Sequence, residues 1–520
     1  STATKNPDPE KPLGPYESIQ TAIILRQKIK KMNSTKKVII LTALFLTTIL
    51  SGHAIATYPS PDIAHWDLSI SDEKNDPDYQ KVRDLVAQKQ FAEALAIIGE
   101  KIASKPREAT PEILKAMVLY ENDEPKKALE ALLTGFKKER QHPALHFAFC
   151  QIHRKLGNGQ TSEKACIIAA EQHRNNPLAH YEFALTLMAK GKAKEADKEL
   201  LKSIRLDPKN SKYPYERGMV LNYLNQNDEA EKSFKQAFSL DKNNIEAAYQ
   251  LAYLYATKNN KEQALTYINQ ILDNHRDKPK ANSAKLLKEY IFKNTTEELP
   301  LKVIPGQYHL NRSKSLYQSK QYGLSIIEGE TAARLSPNDL KVQEILVGIH
   351  SMFLRLDRAE KSVEQFIKSA KDDEKLKSRG YQEWGDITVL RGHLNKAREM
   401  YEKAKKLGDP NGIAKASLAE LPEDVETTER QPLNPNSLFI DPIEALNRKG
   451  EIFAAFGMYQ RALGIYSMVL RMDPSNLTAL LNTATANYNN EKYNRTISIL
   501  ERLFIIHPNH EHIIAHRLLL

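Results

Sequence analysis

Residues 211–244 read SKYPYERGMVLNYLNQNDEAEKSFKQAFSLDKNN, with Gly218, Ala230, Phe234 and Ala237 in the spacing G-x11-A-x3-F-x2-A. Windows of the same 34-residue length run end to end from Asn75 to Lys278, so the period belongs to the chain and not to one segment. The eighth position of these windows holds Ala116, Cys150, Ala184, Gly218 and Ala252, and the twentieth holds Ala94, Ala128, Ser162, Ala196, Ala230 and Ala264. Two antiparallel helices approach closely only where side chains are small, so both positions mark a tight contact inside a helix hairpin. Larger residues at positions 7, 11 and 24, among them Phe183, Leu187, Leu200, Leu251, Tyr255 and Ile268, fill the space beside it. Proline at position 32, as Pro106, Pro208, Pro337, Pro474 and Pro508, stops one helix before the next begins.

These residues resemble the tetratricopeptide repeat, and the resemblance extends over most of the chain. It implies an all-α, right-handed superhelical solenoid of antiparallel helix hairpins, about eleven units in three blocks. Block one covers 75–293 and ends in an unpaired helix near Pro279 to Lys293. A linker, 294–305, has the composition NTTEELPLKVIP. Block two spans 306–411, with Trp384, Gly385, Ala397, Tyr401 and Ala404 at repeat positions. The polar stretch 412–442 reads as a second linker. Block three covers 443–520, where Glu511 to Leu520 resemble the first helix of another repeat. Apolar Ile513, Ile514, Leu518, Leu519 and Leu520 make that helix either an apolar cap or the front of a longer protein.

Residues 32–56 have the layout of an export signal: Lys36 and Lys37, an apolar run from Val38 to Leu50, then Ala54-Ile55-Ala56 before Thr57. Met32 is then the start, with 1–31 an upstream or disordered extension and 57–74 a linker. The alternative is an uncleaved single-pass anchor with Lys30, Lys31, Lys36 and Lys37 on the inside, although the run is short for a full span. Both place the repeats outside the cytoplasm, in the periplasm or cell envelope. The net charge of +10 suggests nucleic acid, but the first 56 residues carry 8 basic and 3 acidic side chains, leaving 67 against 62 in the other 464. With no basic run interleaved with aromatics, nucleic acid is not an expected partner, and a membrane is one only if the N-terminal segment stays uncleaved. No phosphate loop, nucleophile elbow or metalloprotease motif is present, so the expectation is a non-enzymatic protein without cofactors.

The only two cysteines, Cys150 and Cys166, fall at positions 8 and 24 of one window. With the hairpin turn near positions 15–17 those positions face each other. Three readings follow: a disulfide in an oxidising compartment, two free core thiols, or a zinc site of His146, Cys150, His153 and Cys166. The cluster His507, His510, His512 and His516 reads as surface. A binding groove is expected on the concave face, lined by positions 5, 9 and 12 of the first helices: Phe147, Tyr181, Leu185, Met188, Tyr215, Met219, Tyr249, Tyr253 and, one helix on, Tyr290. The plainer reading is that these rings pack between hairpins. The resemblance implies a protein or peptide partner. The carboxylate clamp of some relatives does not carry over, because Leu178, Tyr181, Glu182 and Leu185 stand where it uses lysine and asparagine, and the next two repeats retain only Lys212. The expected function is a periplasmic scaffold for assembling an envelope complex. Alternatives are the repeat domain of an exopolysaccharide synthesis or export system, with rings stacking on sugars, and a membrane-anchored regulator.

Overall fold

The computed structural model describes residues 76–275, 278–293, 302–422 and 441–506. The expected signal segment, the linker 57–74, most of linker 294–305, and the histidines from His507 onward lie outside these residues.

Block one contains six hairpins: α1 (Pro77–Ala87) with α2 (Phe91–Ser104), α3 (Thr110–Glu121) with α4 (Pro125–Lys138), α5 (Ala144–Lys155) with α6 (Gly159–Gln172), α7 (Pro177–Ala189) with α8 (Ala193–Leu206), α9 (Lys212–Tyr223) with α10 (Asn227–Leu240), and α11 (Ile245–Thr257) with α12 (Lys261–Asn274). A lone helix, α13 (Pro279–Lys293), packs on α11 and α12. Block two pairs α14 (Pro305–Gln318) with α15 (Tyr322–Leu335), α16 (Leu340–Met352) with α17 (Leu356–Ser369), and α18 (Glu374–Leu390) with α19 (Leu394–Lys406). After a short helix, α20 (Ile413–Glu420), block three pairs α21 (Pro442–Ala455) with α22 (Tyr459–Met472) and α23 (Leu477–Asn489) with α24 (Tyr493–Ile506). The described residues thus form an all-α solenoid of eleven hairpins.

Three local devices repeat. Position 8 faces position 24: a Cβ added at Gly218 would stand 2.5 Å from Phe234 Cε1, and at Gly385 and Gly450 it would meet the rings of Tyr401 and Tyr466. Where position 24 is large, position 8 is small. Position 15, the hairpin turn, is left-handed in all eleven units, with φ between 53° and 79° at Lys89, Asp123, Gly157, Gly191, Asn225, Asn259, Lys320, Leu354, Gly392, Gly457 and Glu491. Position 34 caps the following helix, since Asn176, Asn244, Asp339, Asp373 and Asn476 each accept a first-turn amide that has no partner inside the helix.

The stretch expected as the second linker is helical in part. Helix α20 buries Ala414 and Ser417, and the Glu420 carboxylate accepts the amides of Gln460 (2.6 Å) and Arg461 (3.2 Å) at the start of α22. An acid at a helix N-terminus is electrostatically favoured, so a polar sequence serves as a joint. Asp386 completes it by accepting from Tyr401 Oη at 2.7 Å and pairing with Arg461.

Blocks also meet across the superhelix. The carbonyl ends of α5 and α7 and the turn after α9 face block two. Arg355 donates to the carbonyls of Leu156 (2.8 Å) and Gly157 (3.2 Å), Thr331 Oγ1 to that of Ala189 (2.8 Å), and Arg334 to that of Lys190. The Asn225 side chain exchanges two hydrogen bonds with the Val303 backbone, at 2.7 and 3.2 Å. Helix C-termini leave carbonyls unpaired, and cationic donors there also complement the helix dipole. Lys126 of α4 reaches Glu444 of α21 at 2.8 Å, so block three touches block one as well.

Candidate functional site: a cavity where three blocks meet

The inward-turned first helices of block one and the closing contacts from blocks two and three enclose a cavity of about 810 Å³. Tyr120, Arg154, Tyr181, Leu185 and Lys212 line it from block one, Lys320 and Tyr322 from block two, and Asp441, Ile443 and Met472 from block three. Arg154 and Glu182 form a buried ion pair in its wall, and the same guanidinium donates to the Glu182 carbonyl at 3.1 Å and to Thr186 Oγ1 at 3.3 Å. An ion pair with its remaining donors satisfied keeps both charges in place when buried. Lys155 lies 4.3 Å from the Tyr120 ring centroid and binds the Tyr120 carbonyl at 2.8 Å and Asp123 at 3.0 Å.

The Tyr181 hydroxyl is the exception in this wall. It is buried and has no hydrogen-bond partner. Burial, with Glu216 and Glu182 nearby, holds it well above the usual phenol range, so it stays protonated and is a donor without an acceptor. A buried donor left unpaired is costly.

Of the expected groove residues, Tyr181 and Leu185 line the cavity. Phe147, Tyr181, Leu185, Met188, Tyr215, Met219 and Tyr249 are only 2–8% exposed, and Tyr253 and Tyr290 are half-buried. The open aromatic track is therefore corrected to a covered one, for two reasons. Position 5 packs against neighbouring helices: the Tyr181 and Tyr213 rings lie 5.2 Å apart, and Tyr215 and Phe234 5.9 Å. In addition, Val303 at the end of the linker and Tyr308 of block two pack on the cluster of Tyr181, Leu185, Met188 and Val220. Further along, Lys280 Nζ sits 5.0 Å over the Tyr249 ring.

Cys150 and Cys166 are joined in a disulfide across the α5–α6 hairpin, with Cα atoms 4.9 Å apart. Neither sulfur is left as a thiolate, so the arrangement of His146, Cys150, His153 and Cys166 as a zinc site is corrected. His153 instead stacks on Phe149 at 5.8 Å. Among the described residues no group of three or more His, Cys, Asp or Glu side chains is placed to hold a metal ion.

Sequence reasoning passed over the Arg154–Glu182 pair and the donors that block two offers to block one. The first had a signal, a cation at position 12 of one unit and an acid at position 6 of the next. The second joins residues 78 to 199 positions apart, and no repeat spacing encodes it.

Comparison with known proteins gives the class. Two family models described as tetratricopeptide repeat match residues 178–210 and 223–286. The chain carries tetratricopeptide repeats, which suggests a scaffold for protein–protein interaction. Among solved structures it is similar to YrrB, a TPR protein with an unusual peptide-binding site, at 21% identity over 36% of this chain and 97% of that one, with a TM-score of 0.32. It is also similar to PilF of Pseudomonas aeruginosa, at 15% identity over 41% and 98% with a TM-score of 0.37. A thermophilic TPR protein of Thermus thermophilus matches at 20% identity over 34% and 99%, with a TM-score of 0.29. No curated protein matches the chain in sequence.

Proposed function

We propose that this protein is a non-enzymatic scaffold that holds a segment of a partner protein in the cavity between its three blocks, outside the cytoplasm, during assembly of a cell-envelope complex. The unpaired Tyr181 hydroxyl carries this reading, because a protonated donor left without an acceptor in the cavity wall is satisfied by a carbonyl of an entering chain. Tyr120, Leu185, Tyr322, Ile443 and Met472 offer apolar surface for side-chain anchors. The location is supported by the signal-like layout of 32–56 and by a disulfide between the only two cysteines, which persists in oxidising compartments.

The test is a photo-crosslinking amino acid at Met472, an exposed cavity residue, irradiated in intact cells, with mass spectrometry of the adducts and of the protein's N-terminal peptide. A single dominant protein adduct that falls about two- to tenfold in Tyr181→Phe, the loss of one hydrogen bond, supports the cavity as the site. Adducts unaffected by Tyr181→Phe refute it. An N-terminus at Thr57 supports export, and one upstream of Val38 replaces the exported scaffold with an anchored one.

A further inference from the structure

Helix α15 is buried differently from the other second helices of the described units. Nine of its 14 residues are buried, where α6 buries six of 14 and α8 four of 14. A second helix normally hides one stripe against its own hairpin and the next. The added burial on α15 comes from block one. Gly323 abuts the Lys155 carbonyl and Gly157 so closely that a Cβ on it would have no room, Ile327 lies against Gly159, and Thr331 caps α7. Beside it Val303 and Tyr308 cover the concave apolar cluster, and Tyr223 Oη bonds His309 Nε2 at 3.1 Å.

The first helices of block one also carry specific buried groups without partners. Gln151 at position 9 of its unit and Tyr181 and Tyr215 at position 5 of the next two are all buried. Both amide atoms of Gln151 and both tyrosine hydroxyls lack hydrogen bonds. Positions 5 and 9 share one face of a first helix, so three successive units carry unpaired groups on the concave side. Native interiors rarely leave such groups unsatisfied, and a run of them calls for an explanation. Apolar Val303 and the Tyr308 ring do not supply one. An extended main chain does: a side-chain amide matches both the donor and the acceptor of a peptide unit, and each hydroxyl matches a carbonyl.

We infer that block two is an exchangeable occupant of the block-one groove. The structure is the closed state, and an extended segment of a partner protein takes the place of Val303 and Tyr308, pairing its backbone with Gln151, Tyr181 and Tyr215. This rests on the partner-binding reading above and adds how entry is controlled. The contacts that hold the groove closed are mainly donors on helix-end carbonyls, which water satisfies when they part.

The experiment uses the full chain carrying Thr331→Val and Arg355→Met, which remove donors to the Ala189, Leu156 and Gly157 carbonyls. Hydrogen exchange at the Val303 amide and along α15 is expected to quicken by roughly tenfold or more while α6 and α8 keep their protection. The radius of gyration from small-angle scattering is expected to rise, and crosslinking from Met472 to increase. A folded variant with unchanged exchange and radius overturns the inference. Should the variant not fold, the unaltered protein in sub-denaturing urea decides: Val303 and α15 exchanging ahead of α7–α10 supports it, and all exchanging together in one global step overturns it. Opening without any effect of Tyr181→Phe on capture would sink the cavity reading and, with it, the pairing of a partner with Tyr181. An effect of Tyr181→Phe without opening would sink the exchange alone.

Discussion

At the scale of single residues the size rule inside each hairpin is the most exposed to test. With Phe234 Cε1 2.5 Å from a Cβ at position 218, Gly218→Ala forces the ring or the helix aside. It is expected to cost about 1–3 kcal/mol in urea denaturation, the usual penalty of overpacking. Gly464→Ala in α22 meets nothing within 4 Å and is expected to stabilise by about 0.5–1 kcal/mol, since glycine weakens a helix interior. If both changes destabilise alike, the space around position 8 is not what selects glycine there. Glu491 occupies the left-handed turn at φ 58°, and Glu491→Gly is expected to raise stability by up to about 1 kcal/mol, read as an upward shift of the melting temperature.

At the scale of elements, the disulfide fastens α5 to α6, and α5 supplies Arg154 to the cavity wall. Closing a loop of 16 residues stabilises by roughly 3 kcal/mol in the chain-entropy model. Reduction is expected to lower the denaturation midpoint accordingly. Free-thiol labelling of both cysteines in unreduced protein would show that no bond forms. Helices and their pairing were legible in the sequence because the units restate overlapping constraints, small residues at 8 and 20, mostly large ones at 24, and proline at 32 in several. The Asn and Asp caps at position 34 were passed over, although the residue type was there to be read. Helix α20 was not legible, because its stability comes from Glu420 meeting the start of α22 and from Ala414 meeting α19, contacts with no periodic trace. The groove was legible only as a set of positions: the sequence places Tyr181 and Tyr215 on the concave side but does not say that Tyr308 will pack on the cluster around Tyr181.

For the whole molecule, Glu216 of block one lies partly buried within reach of the charge on Arg312 of block two. Burial pushes the Glu216 carboxyl up to about 7, and Arg312 of block two opposes that rise only in part. Its ordinary value is 4.5, so between about 4.5 and 7 the folded protein binds more protons at this site than the unfolded chain. Its contribution to stability is therefore full below 4.5, falls as pH rises towards 7 and is level above. The expected measurement is a stability difference between the protein and Glu216→Gln that narrows or reverses across that window, and a pH-independent difference would mean the carboxyl is solvated. Among the described residues no helix is long and apolar enough to cross a membrane.

The pairing of positions 8 and 24 constrains how such an array can change. Gly218 meets Phe234, Cys150 meets Cys166 and Ala184 meets Leu200, so each match is contained within a single hairpin. Duplication or loss of a whole hairpin carries its match along and leaves the interior filled. A crossover at the hairpin turn does not. Joining α9 to α8 would set Gly218 against a leucine and leave a void, and joining α7 to α10 would press Phe234 onto Ala184. The gene can lengthen, shorten or reorder its units at the joints between hairpins, while the turn at position 15 is the place where recombination is punished.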